Sequence, residues 1–319
     1  MINFKRLNVT SFILLCNFVL LSSALHAEEN KFFQYLTGTP TSRLVGYTPA
    51  ELDPRDPNNN VTLKSSSLRA DLAALRPAFD GLILYGYNEA CTPRIVAIAK
   101  ELKYRAVVLA IWQPKSMAEV DGVAELALQH QDELAIAVLI GNEGIIFGRY
   151  EFEDLQIAES RLRKLIGTEI PCSTSEPLVG YQSEKLLKFG DFLAPNIHPV
   201  FDLPEAKAPQ AVQWVKTEAR KLRDASQKPV IVKETGFPHA GKPIYTQQTQ
   251  KEFWQNYTTE GLLEKKGENW VSFAVGFEAF DLPWKSEASG LEIEKSWGLL
   301  SNDRKPYPAF EIWKSIKTQ

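Results

Sequence analysis

Apolar, β-branched runs recur along this chain, with helical patterns between them. Eight stand out: LVGYTP (44–49), GLILYGY (81–87), YRAVVLAIW (104–112), LAIAVLIGN (134–142), EIPCSTSEP (169–177), FLAPNIHP (192–199), PVIVKE (229–234) and VSFAVGFEAF (271–280). Near-continuous apolar character, rather than alternation, predicts strands buried on both faces, as in a parallel sheet covered by helices. The gaps follow the helical period. Leu68, Leu72 and Leu75 share one face of 68–78, and Val212, Val215 and Leu222 share one face of 211–224. Thr92 followed by Pro93 reads as an N-cap opening a helix, and 249–267 reads as a helix stopped by Gly267. Strands alternating with helices in this way predict an α/β fold, a single (β/α)8 TIM barrel. A doubly wound open sheet is the alternative. It would usually carry a phosphate-binding glycine loop at its first crossover, and none is visible.

The first residues stand apart from this pattern. Lys5 and Arg6 precede an apolar stretch, Phe12–Leu21, followed by Ser22, Ser23, Ala24 and Ala27. That is the layout of a secretory signal, cleaved after Ala24 or Ala27. The expected organisation is a leader over 1–27 and one catalytic domain over 28–319, secreted or periplasmic, monomeric and free of the membrane once cleaved. A formal charge of −3 and a pI near 5.9 argue against nucleic-acid and anionic-membrane partners. Beyond the leader, Cys91 and Cys172 read as two free thiols, and no histidine has metal-ligand spacing. No metal and no cofactor are expected.

The chemistry lies at strand ends. Glu143 follows LAIAVLIGN and Glu234 ends PVIVKE, on the predicted fourth and seventh strands. In a closed barrel these ends face each other across the mouth, where barrel enzymes keep their active sites. Two carboxyls so placed suit glycosidic bond cleavage: one protonates the leaving oxygen and the other stabilises or attacks the anomeric carbon.

The segments GNE (141–143), ETGFP (234–238) and FEAFDLPWK (277–285), with NIHPVF (196–201) and STSEP (173–177), resemble glycoside hydrolase family 17, the β-1,3-glucanases and glucanosyltransferases. The resemblance runs from Gly46-Tyr47 to Trp297-Gly298-Leu299. It implies a retaining enzyme on β-1,3-glucan, with Glu143 as acid/base, Glu234 as nucleophile and Asn142 on the sugar 2-hydroxyl. Two positions depart from the family pattern: Phe237, where Trp is commoner, and Leu282, where the fungal and bacterial branch often has Glu. Both bear on fine substrate preference. Glucanosyl transfer by the same two glutamates, and glucan binding with little turnover, are alternative functions. A β-1,4 or mixed-linkage glycan is an alternative substrate.

Further candidates surround this pair. Glu278, Asp281, Lys285 and Glu294 cluster near the eighth strand, where charges of both signs tune an acid/base or grip hydroxyls. Tyr85, Glu176, Asn196 and His198 lie at other strand ends. Trp112, Phe237, Phe280 and Trp284 are candidate sugar platforms, since aromatic faces stack on pyranose C–H surfaces. The stretch 50–62, rich in Pro and Asn, reads as a loop over the mouth.

Overall fold

The computed structural model describes residues 30–316; the expected leader lies outside them. Six strands form one parallel sheet in the order β5-β4-β3-β2-β1-β9. They are β1 (Leu44–Gly46), β2 (Gly81–Ile83), β3 (Ala106–Ile111), β4 (Ala135–Asn142), β5 (Cys172–Ser175) and β9 (Val275–Gly276). Every pairing among them is parallel, and nearly every strand residue is buried. The sheet curls, with helices outside it, consistent with a (β/α) barrel. A second sheet holds β6 (Val230–Ile231), β7 (Leu263–Lys266) and β8 (Asn269–Ser272) in the order β6-β8-β7.

The predicted sixth strand, 192–199, has no strand of its own. Its backbone is nonetheless bridged on both sides: Leu193 with Val230, Asn196 with Pro177, and Asn196 with Glu234, all parallel. Pro195 interrupts the run and has no N–H to donate to a ladder, which is why regular pairing fails there. The predicted helix 249–267 is also corrected. The helix spans Gln247–Thr259, and Gly261, at φ 90, ends it. Leu263–Lys266 then pairs antiparallel with Asn269–Ser272 through a tight turn at Gly267 (φ 62). Glu264 draws this strand back to the helix Ala208–Ser226 through Arg220 and Arg223, at 2.8 and 3.0 Å. The helix expected at Thr92 has Cys91 as its N-cap residue, one position early, while the Thr92 hydroxyl accepts from the Asn88 N–H at 2.9 Å.

The helix Lys31–Thr37 closes one end of the sheet. Phe33 meets the Trp270 ring edge-on at 5.5 Å, Tyr35 donates to Asp80 at 2.8 Å, and the Asn30 amide donates to the Glu169 carbonyl at 2.8 Å. Asp80, Glu169 and Trp270 all lie at the starts of strands. This end is therefore sealed, and the C-terminal strand ends are left for chemistry. The loop 50–62 contains one helical turn, Asn59–Thr62. Arg94 ties it down by donating to the carbonyls of Leu63 and Asn60 at 2.6 and 2.8 Å, and Arg55 pairs with Glu287 at 2.6 Å. Cys91 and Cys172 are both free and buried. Among the described residues, no helix is long and apolar enough to cross a membrane.

Candidate active site

Glu143 sits one residue past β4 with φ 57, a left-handed backbone that non-glycine residues adopt rarely. Such a conformation costs about 1–3 kcal/mol and persists only where its surroundings enforce it. Here the enforcement is visible. The Glu143 N–H donates to the Ser175 carbonyl at 2.7 Å, which holds the turn to the end of β5. The Tyr150 ring lies under the turn, and its hydroxyl accepts from the Gly144 N–H at 3.1 Å. A Cβ at Gly141 or Gly144 would fall 2.1 or 1.9 Å from Tyr150 atoms, so both glycines make room for that ring. Arg149 donates to the Asn142 carbonyl and lies 4.1 Å over the Trp112 ring.

Glu234 follows β6 and is nearly buried, 6 % exposed. Its Oε1 accepts from Lys233, and its Oε2 faces His198 Nε2 at 3.3 Å. Burial alone would raise this carboxyl, but the Lys233 ammonium and the His198 ring outweigh it and hold Glu234 well below the usual carboxylate range. His198 is itself packed among Phe277, Trp297 and Phe201, with ring centroids 5.2, 5.2 and 5.9 Å away.

A relay of side chains joins the two glutamates. Lys233 Nζ donates to Asn142 Oδ1 at 2.6 Å as well as to Glu234. Asn196 Nδ2 donates to Asn142 Oδ1 at 3.2 Å and to Glu143 Oε1 at 2.8 Å. The Ser175 hydroxyl, donating to Asn196 Oδ1 at 2.9 Å, fixes which way that amide points. Lys233 Nζ also lies 4.5 Å from the Tyr85 ring centroid. Gly46 leaves space for Tyr85, since a Cβ there would come 2.7 Å from the Tyr85 oxygen.

A second charged group borders this one. Glu278, 1 % exposed, accepts from Lys285 through both carboxylate oxygens at 2.7 Å. Burial pushes it up to about 7, against the pull of Lys285. Glu294 is also raised, first by burial, and then by Glu234 and Glu143, which are near enough to act on it. Trp284, partly buried, lies beside Lys285 on the short helix Pro283–Ser289. Asn142, Tyr85, Asn196, His198, Glu278, Lys285 and Glu294 are thus gathered around the pair.

Other candidates are placed differently. Glu176 is fully buried and accepts from the N–H groups of Ile145 and Ile146 at 3.1 and 3.4 Å. Burial pushes it up to about 7, and it braces the turn that carries Glu143. Asp281 accepts from His239 at 3.0 Å, from the Tyr307 hydroxyl at 2.7 Å and from the Gly298 N–H at 3.0 Å, which fastens the C-terminal segment. Phe237 and Phe280 are corrected as platforms, because neither ring offers a free face. Phe237 is 2 % exposed and stacks on Phe253 at 4.9 Å; Phe280 is wholly buried against Tyr47. Trp112 is 38 % exposed, with Arg149 on its ring.

The sequence reading missed Lys233, Ser175 and Glu119. Glu119 accepts from the N–H groups of Trp112, Gln113 and Tyr87 at 2.6, 2.9 and 3.1 Å, locking the loops after β2 and β3 together. Lys233 could have been found, because a lysine inside an apolar strand run needs a buried partner.

The family model for the BtgE/BtgC glycoside hydrolase domain matches residues 45–298. A putative glucan endo-1,3-beta-glucosidase, btgC of Aspergillus niger, is 25 % identical over 284 residues, covering 80 % of this chain but only 40 % of the relative. A glucan 1,3-beta-glucosidase of Arthroderma benhamiae is 25 % identical over 240 residues, 70 % of this chain and 77 % of that protein. The glycoside hydrolase family 17 β-1,3-glucanosyltransferase of Rhizomucor miehei superposes with a TM-score of 0.65 at 18 % identity, over 86 % of this chain and 98 % of that one. That likeness is one of fold, and it agrees with the family 17 resemblance read from GNE and ETGFP. The match over 45–298 contains both strand-end glutamates and the charged group beside them, and the chain belongs to the BtgE/BtgC glycoside hydrolase domain family.

Proposed function

We propose that this protein is a retaining glycoside hydrolase of β-1,3-glucan, with Glu143 as acid/base and Glu234 as nucleophile. The observation that carries the reading is the unequal setting of two linked carboxyls. Glu234 is pinned as an anion by Lys233 and His198, while Glu143 stands across the Asn142–Asn196 relay from it. In the first step Glu234 attacks the anomeric carbon as Glu143 gives its proton to the leaving oxygen, and a glycosyl-enzyme forms. In the second, Glu143 takes a proton from water, whose oxygen displaces Glu234. The names of the fungal relatives support the β-1,3 linkage.

Glucanosyl transfer is a second reading, and one feature favours it. Ile146 and Phe147, 41 % and 67 % exposed, follow three and four residues after Glu143, on the side that this reading assigns to the leaving group and the acceptor. An apolar acceptor side suits a sugar better than water.

The architecture proposed is a closed (β/α)8 barrel. Its support is the set of bridges that place 193–196 between β5 and β6, and the Val232 N–H bonded to the Ser272 carbonyl at 3.1 Å. Secretion through residues 1–27, and action as a monomer, complete the reading. N-terminal sequencing of the exported protein tests the leader, and an uncleaved Met1 would refute it.

The functional test is a product time course from an end-labelled β-1,3-gluco-oligosaccharide, beside Glu234→Gln and Glu143→Gln. Shorter products of retained β configuration, lost in both variants, are expected. Longer products assign transfer. A wild type without turnover, or a first-formed α-anomer, would sink the mechanism.

A further inference from the structure

Lys233 is the group that the two-carboxylate chemistry does not itself require. It is 2 % exposed, inside an apolar strand run, at the centre of the catalytic cluster. An ammonium only donates. The Asn142 atom 2.6 Å away must therefore be the side-chain oxygen, and that same oxygen accepts from Asn196 at 3.2 Å. Both bonds turn the Asn142 amide nitrogen away from Lys233, and Asn142 keeps partial exposure. The third contact of the ammonium is Glu234 Oε1, and the Tyr85 ring shields it at 4.5 Å.

We infer that Lys233 is a positioning residue that orients both catalytic partners of the sugar: it pins the Glu234 carboxylate and turns the Asn142 amide so that its NH2 donates to the 2-hydroxyl of the reacting ring. The inference rests on the reading of Glu234 as nucleophile and on the 2-hydroxyl contact of Asn142 that the family 17 resemblance implies. With Lys233 replaced by a neutral chain, the Asn142 oxygen keeps only the longer 3.2 Å bond from Asn196, and the amide is free to swing about it. The 2-hydroxyl contact, which strengthens as positive charge develops on the sugar, then loses its enforced donor. Glu234 simultaneously loses its closest cation. The groups that face it are then His198 from the 192–199 segment, Tyr85 from the end of β2, and Glu278 and Glu294 from beyond β9, with Glu143, one residue past β4, acting on Tyr85 and Glu294 beside them. Of these, His198 Nε2 lies 3.3 Å from Glu234 Oε2.

The test uses two substrates and three proteins. The substrates are 2,4-dinitrophenyl β-laminaribioside and its analogue deoxygenated at C2 of the reacting ring. The proteins are wild type, Lys233→Met and Lys233→Gln. In the wild type, loss of the 2-hydroxyl lowers kcat/KM by about a hundredfold or more, because that contact supplies several kcal/mol in the transition state. In both variants the penalty shrinks to about tenfold or less, and kcat/KM for the parent substrate falls by roughly 10–150-fold, the worth of one charged hydrogen bond. A variant that only loosens the fold lowers both substrates alike, so an unchanged 2-hydroxyl penalty in a folded variant overturns the inference and leaves the nucleophile reading intact. A second arm needs no variant. Inactivation of the wild type by a 2-deoxy-2-fluoro glucoside reports ionisation of the nucleophile, and its rate is expected to hold level through the ordinary glutamate range. A limb near 4.5 in that profile overturns the inference even where neither variant folds. A wild type inert to the parent substrate and to the inactivator overturns the reading and the inference together.

Discussion

Gly144→Ala tests the claim that the backbone under Glu143 is set by the Tyr150 ring. The added Cβ falls 1.9 Å from Cε1 and 2.1 Å from Cζ of a side chain that is 2 % exposed. The obstructing atoms belong to a rigid ring rather than to the far end of a flexible chain. Relief therefore requires the ring or the turn to move by roughly 1.5 Å, the shortfall from ordinary carbon–carbon contact at about 3.5 Å. Overpacking of this kind costs about 1–3 kcal/mol, and the lost bond from the Gly144 N–H to the Tyr150 hydroxyl adds about 1 kcal/mol. The expected destabilisation is about 2–4 kcal/mol, read by urea unfolding. Catalysis should suffer separately. Glu143, the proposed acid/base, adjoins the displaced residue, and about 1 Å of misplacement of a reacting group costs on the order of a hundredfold in kcat. Tyr150→Leu is the companion variant, since it removes the ring edge that the new methyl meets. Gly144→Ala should then cost far less in the Tyr150→Leu background than alone, a coupling of more than about 1 kcal/mol. Unfolding of Gly144→Ala within about 0.5 kcal/mol of wild type, or strict additivity in the double variant, would refute the reasoning.

Three further predictions concern other parts of the molecule. Glu278 is raised by burial from 4.5 to about 7, so its stability contribution is complete below pH 4.5 and is lost as pH rises through 7; Glu278→Gln should flatten the urea-midpoint profile over that window, and an unchanged profile would contradict the assignment. Arg304 donates to the wholly buried Asp71 at 2.6 Å, and Asp71 also accepts from the Tyr47 hydroxyl at 2.9 Å; Arg304→Met strands that carboxyl and should cost about 3–5 kcal/mol in equilibrium unfolding. Trp112→Ala, removing an exposed ring backed by Arg149, should raise KM on β-1,3-gluco-oligosaccharides by roughly 5–30-fold with little change in kcat, as expected for about 1–2 kcal/mol of stacking.

The strands with unbroken apolar runs were legible from sequence. β3 and β4 lie within a residue or two of expectation, because burial on both faces leaves a near-continuous apolar run rich in Val and Ile. The strand-end positions of Glu143 and Glu234 were legible in the same way, as charges following such runs. Three things were not. The 263–266 strand was hidden by charge, since LEKK continues a helical pattern and only pairing with β8 makes it extended. Phe237 and Phe280 followed catalytic motifs in sequence but point into packed aromatic clusters, and strand-end position alone does not decide which way a side chain faces. Glu119 was invisible because its role is to accept from three backbone N–H groups, a contact that depends on how two loops meet.

The antiparallel ribbon of β7 and β8 has a consequence for life in a crowded solution. A curled parallel sheet flanked by helices offers neighbouring molecules little unpaired backbone, but β7 is the last strand of its sheet. Such a margin is a template for adding a strand from another copy. Its sequence answers that hazard: Glu264 is occupied by two arginines, and Lys265 and Lys266 are exposed beside it. A second copy approaching in register would set lysine against lysine. Neutralising Lys265 and Lys266 together leaves the strand-end glutamates untouched, yet turns a guarded margin into a nucleus for intermolecular sheet growth.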